Sequence, residues 1–216
     1  MDEPMGSLIS ALRASTRSQH EQLESVTRLP QSLSDLSDLK SVLSTFLGYY
    51  VVLDRQLQHP STCELPDDVV LRPWRSKVLA EDLALLGADL PPLLGSPQLP
   101  QATTAYQQWG IRYVIEGSAL GGKTIRAYLR RHPSLAPWSD KISFFNIYGA
   151  DTARQWANFL SELDRLDPMP AEQAQAVEAA QIVFATLTDW FRLHRSRPLE
   201  GAENSMESMT EGAIER

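Results

Sequence analysis

The stretch TRSQHEQLE places His20 one helical turn after Thr16 and one turn before Glu24. At 100° per residue, side chains four apart are offset by only about 40° around a helix. A neutral imidazole in that setting can ligate a metal through one nitrogen while the carboxylate engages the other and fixes which nitrogen faces the metal. The same spacing suits a core-edge histidine with an ordinary i,i+4 partner, and the segment alone leaves both readings open. A second stretch, VIEGSALGGKTIRAYL (residues 114–129), has the apolar rhythm of a helix yet carries Gly117, Gly121 and Gly122 in its interior. Each interior glycine costs roughly 0.5–1 kcal/mol relative to alanine. Without Cβ atoms the backbone can approach a flat ligand closely, or can form a tight helix crossing. Ser118 adds a hydroxyl able to hold a water or to bond back to the helix.

Spacing rules out several other metal and phosphate chemistries. The paired Glu-x-x-His motifs of di-iron bundles are absent, as are His-Glu-x-x-His, Cys-x-x-Cys and a glycine-rich phosphate loop. A single histidine ligand completed by a porphyrin survives this elimination. His59 and His132 both precede proline, and His194 closes the last helical pattern, so these three read as surface or capping residues.

Helices must position these groups. Prolines leave open windows in which apolar residues recur every three or four positions, while alternating strand patterns are nearly absent. The expected fold is all-α: a single-domain helical bundle with helices over about 7–26, 36–58, 74–87, 101–131, 151–166 and 171–196. Ser7 is the expected N-cap of the first, and GADLPPLLGSPQLPQ a connecting loop. Residues 1–6 are expected to be a flexible N-terminus, 7–196 the domain, and 197–216 a disordered polar tail.

Composition narrows the class. At 216 residues, 43% hydrophobic and 22% charged, the chain suits one soluble domain. A net charge of −7 argues against nucleic acid as partner, and no apolar run approaches the roughly 18 residues that would span a membrane. The arginine clusters at 126, 130 and 131 and at 192, 195 and 197 read as solvated helix ends. MDEPMGSLIS lacks the pattern of a secretory leader. Cys63, the single cysteine, has no internal partner, so a cytoplasmic setting is expected.

Taken together, LRASTRSQHEQLE and YVIEGSALGGKTI, in this order and at this separation, resemble the heme oxygenase family over roughly residues 7–196. The resemblance implies heme clamped between a proximal N-terminal helix and a kinked, glycine-rich distal helix. It implies His20 as the iron ligand, with Thr16 and Glu24 as its neighbours, and Gly117, Ser118, Gly121 and Gly122 as the distal wall. Phe184 and Phe191 fall where family members place aromatics near the pocket. The implied reaction consumes heme and O2, opens the ring to biliverdin and releases carbon monoxide and ferrous iron. Its electrons would come from a ferredoxin or a flavin reductase, and a biliverdin-using photoreceptor is a conceivable downstream partner.

Two departures from the animal-type pattern stand out. Ser118 occupies the place of a distal aspartate, as in one bacterial subset with EGS followed by LG; the alternative is a heme carrier or sensor that leaves the ring intact. The late basic positions that hold heme propionates fall near Trp156 and Leu160, which cannot pair with a carboxylate. The basic candidates that remain are Arg13, Arg17, Arg28 and Arg112.

Overall fold

A computed structural model describes residues 7–58, 74–88 and 95–195. Among these residues there are six α-helices, three short 3-10 turns and no strand, as the apolar periodicity predicts. Helix α1 (Leu8–Thr27) begins where the Ser7 side chain accepts from the Ser10 N–H. It ends at Arg28, whose left-handed backbone (φ 51°) returns an N–H to the Glu24 carbonyl. The others are α2 (Leu36–Gln58), α3 (Arg75–Leu85), α4 (Ala105–Arg131), α5 (Thr152–Asp164) and α6 (Pro170–Arg195).

Most differences from the expected boundaries have a local cause. Helix α4 starts at Ala105 rather than 101 because Thr104 and Gln107 form a reciprocal capping box. Helix α6 starts at Pro170, one residue early, since a helix's first position needs no N–H donor. Helix α3 stops at Leu85, ahead of Gly87 in the left-handed region (φ 60°). Between α4 and α5 the chain folds into 3-10 turns at Ala136–Trp138, Phe144–Asn146 and Gly149–Asp151, which the apolar pattern does not reveal.

Helix α6 is the hub, packing extensively on α4 and α1 and also on α2. The Tyr49 hydroxyl of α2 donates to the Val183 carbonyl at 3.1 Å, and the Trp190 indole donates to the Thr45 carbonyl at 2.9 Å. Gln181 reaches the Ser15 carbonyl of α1 at 2.8 Å. On the far side, the buried Asp82 carboxylate of α3 accepts the N–H groups of Ser143 and Phe144 at 2.7–3.0 Å. It thereby fastens the turn at Phe144–Asn146 against the bundle.

Arg126 and Arg130 are not simple solvated ends. Both donate to the Asp140 carboxylate, at 2.8 and 2.7 Å, and tie the end of α4 to the following turns. Arg192 pairs with Asp189. His132 is the C-cap of α4, as expected. His194 is half-buried at the end of α6: its ring lies 3.8 Å from the Trp190 ring, and its Nδ1 is 2.9 Å from the Trp190 carbonyl oxygen of the last turn. His59, Cys63, Arg197 and the segments 1–6 and 197–216 lie outside the described residues.

The α4–α6 crossing depends on a glycine that the sequence pattern did not flag. A Cβ on Gly110 would sit 2.0 Å from the Ala176 carbonyl oxygen, and that neighbour is backbone that cannot swing away. Gly110→Ala is therefore expected to destabilise the protein by about 1–3 kcal/mol. A domain of this size converts that to a melting-temperature drop of roughly 2–4 °C per kcal/mol, readable by thermal and urea denaturation.

Candidate functional site

On α4, Gly110, Gly117 and Gly121 share one stripe, within about 40° of one another around the axis. The space in front of that stripe widens steadily. At Gly110 an added Cβ would collide with Ala176, at Gly117 it would touch Trp156 at 3.5 Å, and at Gly121 it would meet nothing within 4 Å. Gly122 points elsewhere, and its Cβ would strike the Phe145 carbonyl oxygen at 2.3 Å. The three glycines noted in the sequence thus have three functions. Gly122 permits a backbone contact, Gly117 lies under an indole and Gly121 faces open space.

That space is a slot of about 800 Å³ between α1 and α4, walled by α6 at one side and by the Phe144–Ile147 segment at another. Its size falls within the roughly 300–1,000 Å³ usual for small-molecule sites. Of the residues expected at a site, it brings together Arg13, Thr16, Arg17, His20 and Glu24 from α1, Gly117, Ser118, Gly121 and Gly122 from α4, and Phe184 from α6. Trp156 also lines it, whereas Leu160 does not.

His20 projects from α1 with 57% of its side chain exposed, so it is not a core-edge residue. Its Nδ1 lies 3.7 Å from Glu24 Oε2, which leaves Nε2 as the nitrogen available to a metal. Phe184 meets the imidazole edge-on, with ring centres 5.7 Å apart. Thr16 donates its hydroxyl to the Leu12 carbonyl at 2.7 Å and is buried, a packing role beneath the histidine. Among the described residues no three His, Cys, Asp or Glu side chains converge as a metal site. A metal at His20 would therefore need a group that brings most of its own ligands.

The basic residues divide. Arg13 lies at the cavity beside Tyr113. Burial pushes the Tyr113 hydroxyl up from its ordinary pKa, and the Arg13 cation and hydrogen bonding oppose that. Arg17 is exposed and donates to Glu21 at 3.1 Å. Arg28 is exposed between the cavity-lining Thr27 and Leu29 and does not itself line the slot. Arg112 is buried inside the bundle and interacts with Asp54, away from the cavity lining. Phe191, fully buried, sits behind the wall and packs edge-on against the lining residue Phe46, with ring centres 4.7 Å apart.

Two residues of the Ser118 side were missed by sequence reasoning. Tyr50 of α2 is buried beside Ser118, and burial raises its pKa, with Arg75 and Ser118 acting in the opposite direction. Arg75, the first residue of α3, lines the same wall at 2% exposure. Neither belongs to a motif; a buried arginine at a helix start reads in sequence as a surface cation. Ser118 itself donates to the Ile115 carbonyl at 2.6 Å, so its hydroxyl proton is committed and its oxygen is left to accept.

The sequence matches the family described as Heme oxygenase over residues 6–193. The chain belongs to the heme oxygenase family. One relative, a heme oxygenase of Xanthomonas campestris pv. campestris (strain 8004), is 36% identical over 112 residues. That match spans 51% of this chain and 63% of the relative, so the chain covers less than two thirds of the relative's length.

The glycine geometry separates fold from ligand. Gly121→Ala is expected to stabilise the ligand-free protein by about 0.5–1 kcal/mol, through helix propensity and with no clash. Gly121→Leu, filling the slot, is expected to leave the helix folded while cutting hemin uptake at least tenfold. Gly122→Ala is expected to destabilise the fold. Circular dichroism melts and hemin titrations of the three variants check this; hemin affinity unchanged in Gly121→Leu would remove Gly121 from the site.

Proposed function

We propose that this chain is a heme oxygenase that binds heme in the slot between α1 and α4 and opens its ring to biliverdin, releasing carbon monoxide and ferrous iron. The observation that carries the reading is the juxtaposition of His20 with the open stripe at Gly121 across one cavity, in a chain of this family. His20 Nε2 would hold the iron, with Glu24, 3.7 Å from Nδ1, as the carboxylate able to draw in and orient the ring. Arg13 and Tyr113 offer a cation and a phenol for the propionates at one end of the slot.

The bound heme supplies the oxygen-activating chemistry that opens its own ring. The protein's share is positioning and exclusion. The bare backbone at Gly121 leaves room for O2 beside the ring, and Phe184 and Trp156 limit how the ring can slide. Ser118, with its proton on the Ile115 carbonyl, accepts a hydrogen bond from a water and holds it at the wall. Electrons are expected from a ferredoxin or flavin reductase, and the setting expected from the lone Cys63 is cytoplasmic.

A carrier or sensor reading has one observation in its favour: the Ser118 hydroxyl is bonded back to its own helix, at the Ile115 carbonyl. Titration with hemin followed by a ferredoxin reducing system under air, with catalase present, separates the two. Under the oxygenase reading a saturable Soret band forms and then decays as bile pigment appears. A band that persists through reduction sinks the oxygenase reading. His20→Ala is expected to lose the wild-type ferric spectrum and to bind hemin roughly tenfold or more weakly, about 1.4 kcal/mol. An unchanged spectrum would remove His20 as the ligand.

A further inference from the structure

A cluster of charge lies under the Ser118 side of the slot and is not used by the roles assigned above. Arg75 Nη2 donates to the Ile115 carbonyl at 3.2 Å and lies 3.7 Å from Glu116 Oε1, with both side chains nearly fully buried. Glu116 Oε2 accepts the Tyr148 hydroxyl at 2.7 Å, and the Arg75 guanidinium lies 5.4 Å from the centre of the Tyr148 ring. Asp54 accepts the Ser76 N–H at 2.7 Å. The guanidinium is thus clamped from three directions: by a carbonyl, a carboxylate and an aromatic face.

Arg75 Nη1 is nevertheless sealed from solvent and has no hydrogen-bond partner among the described residues. Leaving a charged donor buried and unmade is costly, more so than for a neutral amide. Arg75 is paired with Glu116, and Arg75 and Arg112 both act on Asp54, whose carboxyl burial pushes up from its ordinary pKa. The donors at this wall are few, because the Ser118 hydroxyl proton is held by the same Ile115 carbonyl that Arg75 engages. A cation in a low-dielectric wall acts on the adjoining slot far more strongly than one in water.

We infer that Arg75 is a positioning residue whose clamped positive charge makes the Ser118 side of the slot select a small anion or hydrogen-bond acceptor, with Glu116 and Tyr148 aiming it. This rests on the heme reading, since the ring divides the slot into an iron-ligand side and the side that Arg75 serves. It also gives Glu116 of the EGS sequence a purpose: it holds the cation in place without lying in the slot. On this account Ser118 is the acceptor of the wall, and Arg75 acts from behind it through its charge rather than by a direct hydrogen bond.

The test uses the ferric hemin complex and fluoride, a small anion that accepts hydrogen bonds, with binding followed by absorbance. Removing Arg75 alone strands the Glu116 carboxylate, so Arg75→Met is paired with the double variant Arg75→Met/Glu116→Gln, which removes both charges. Fluoride affinity is expected to fall tenfold or more in both, and to recover in large part in Arg75→Lys. In the ferrous carbon monoxide complex, the C–O stretch is expected to move to higher wavenumber as the positive field is lost. A purely structural role predicts a lower melting temperature with fluoride affinity and stretching frequency unchanged in the folded double variant, and that result overturns the inference while leaving the heme reading intact. Failure of the wild type to take up hemin at all overturns both.

Discussion

Everything at the site depends on how closely α4 may approach its neighbours along its length. At Gly110 the helix backbone is pressed onto α6, and at Gly122 a different face is pressed onto the Phe145 carbonyl. These contacts lie twelve residues apart, about 18 Å along the axis. Between them the helix is fixed in position with most of its faces buried, and only the stripe carrying Gly117 and Gly121 faces a gap that opens from one end to the other. Side-chain packing alone would tend to close such a gap, because apolar surfaces gain by meeting. Backbone contacts that tolerate no Cβ hold the helix where the slot stays open.

The two sides of the slot are built on opposite electrostatic principles. On α1 the chemistry is exposed: His20 and Glu24 form a loose i,i+4 pair, open enough to receive a guest from outside. On the α4 side the charges are buried and mutually held: Arg75 pairs with Glu116 at 3.7 Å, and Glu116 accepts the Tyr148 hydroxyl. An exposed pair can rearrange as a guest enters, at little cost in desolvation. A buried cluster cannot, and so its dipoles and charges are already oriented when the guest arrives. The asymmetry suits a site in which one face captures and the other governs what may sit opposite.

The sequence made the all-α class and the grouping of His20, Thr16 and Glu24 on one side of the candidate site legible, because both rest on short-range periodicity. His20, Thr16 and Glu24 lie four residues apart, and helical spacing alone places them together. The distal half was legible only as a set of glycines, since a missing Cβ states that something comes close without saying what. Gly122 and Gly121 are adjacent in sequence yet one meets a carbonyl and the other open space. That difference is set by the turn at Phe144–Asn146, whose position depends on Asp82 of α3, some sixty residues away. Arg75 and Tyr50 were invisible for the same reason: their relevance comes from tertiary placement across α2, α3 and α4. Arg112 was misread in the opposite sense, as a cation for the ligand when it is drawn into the bundle interior beside Asp54.

The aromatic layer explains how an open slot remains a defined shape. Phe46, Tyr50 and Phe144 line it and are braced from behind or beside by Phe191, Tyr49 and Phe145, with ring centres about 5–6 Å apart. Tilted and edge-on contacts of this kind favour particular orientations beyond simple area burial. Tyr49 and Trp190, one layer deeper, hydrogen-bond across α2 and α6 to the Val183 and Thr45 carbonyls, and Tyr49 also meets the Thr186 hydroxyl, so the brace is anchored at both helices. Phe46 and Phe144 therefore present an apolar surface to the slot, while Tyr49 and Trp190 behind them carry hydrogen bonds directed away from it. A guest gains hydrophobic contact without disturbing any of the hydrogen bonds that hold the wall.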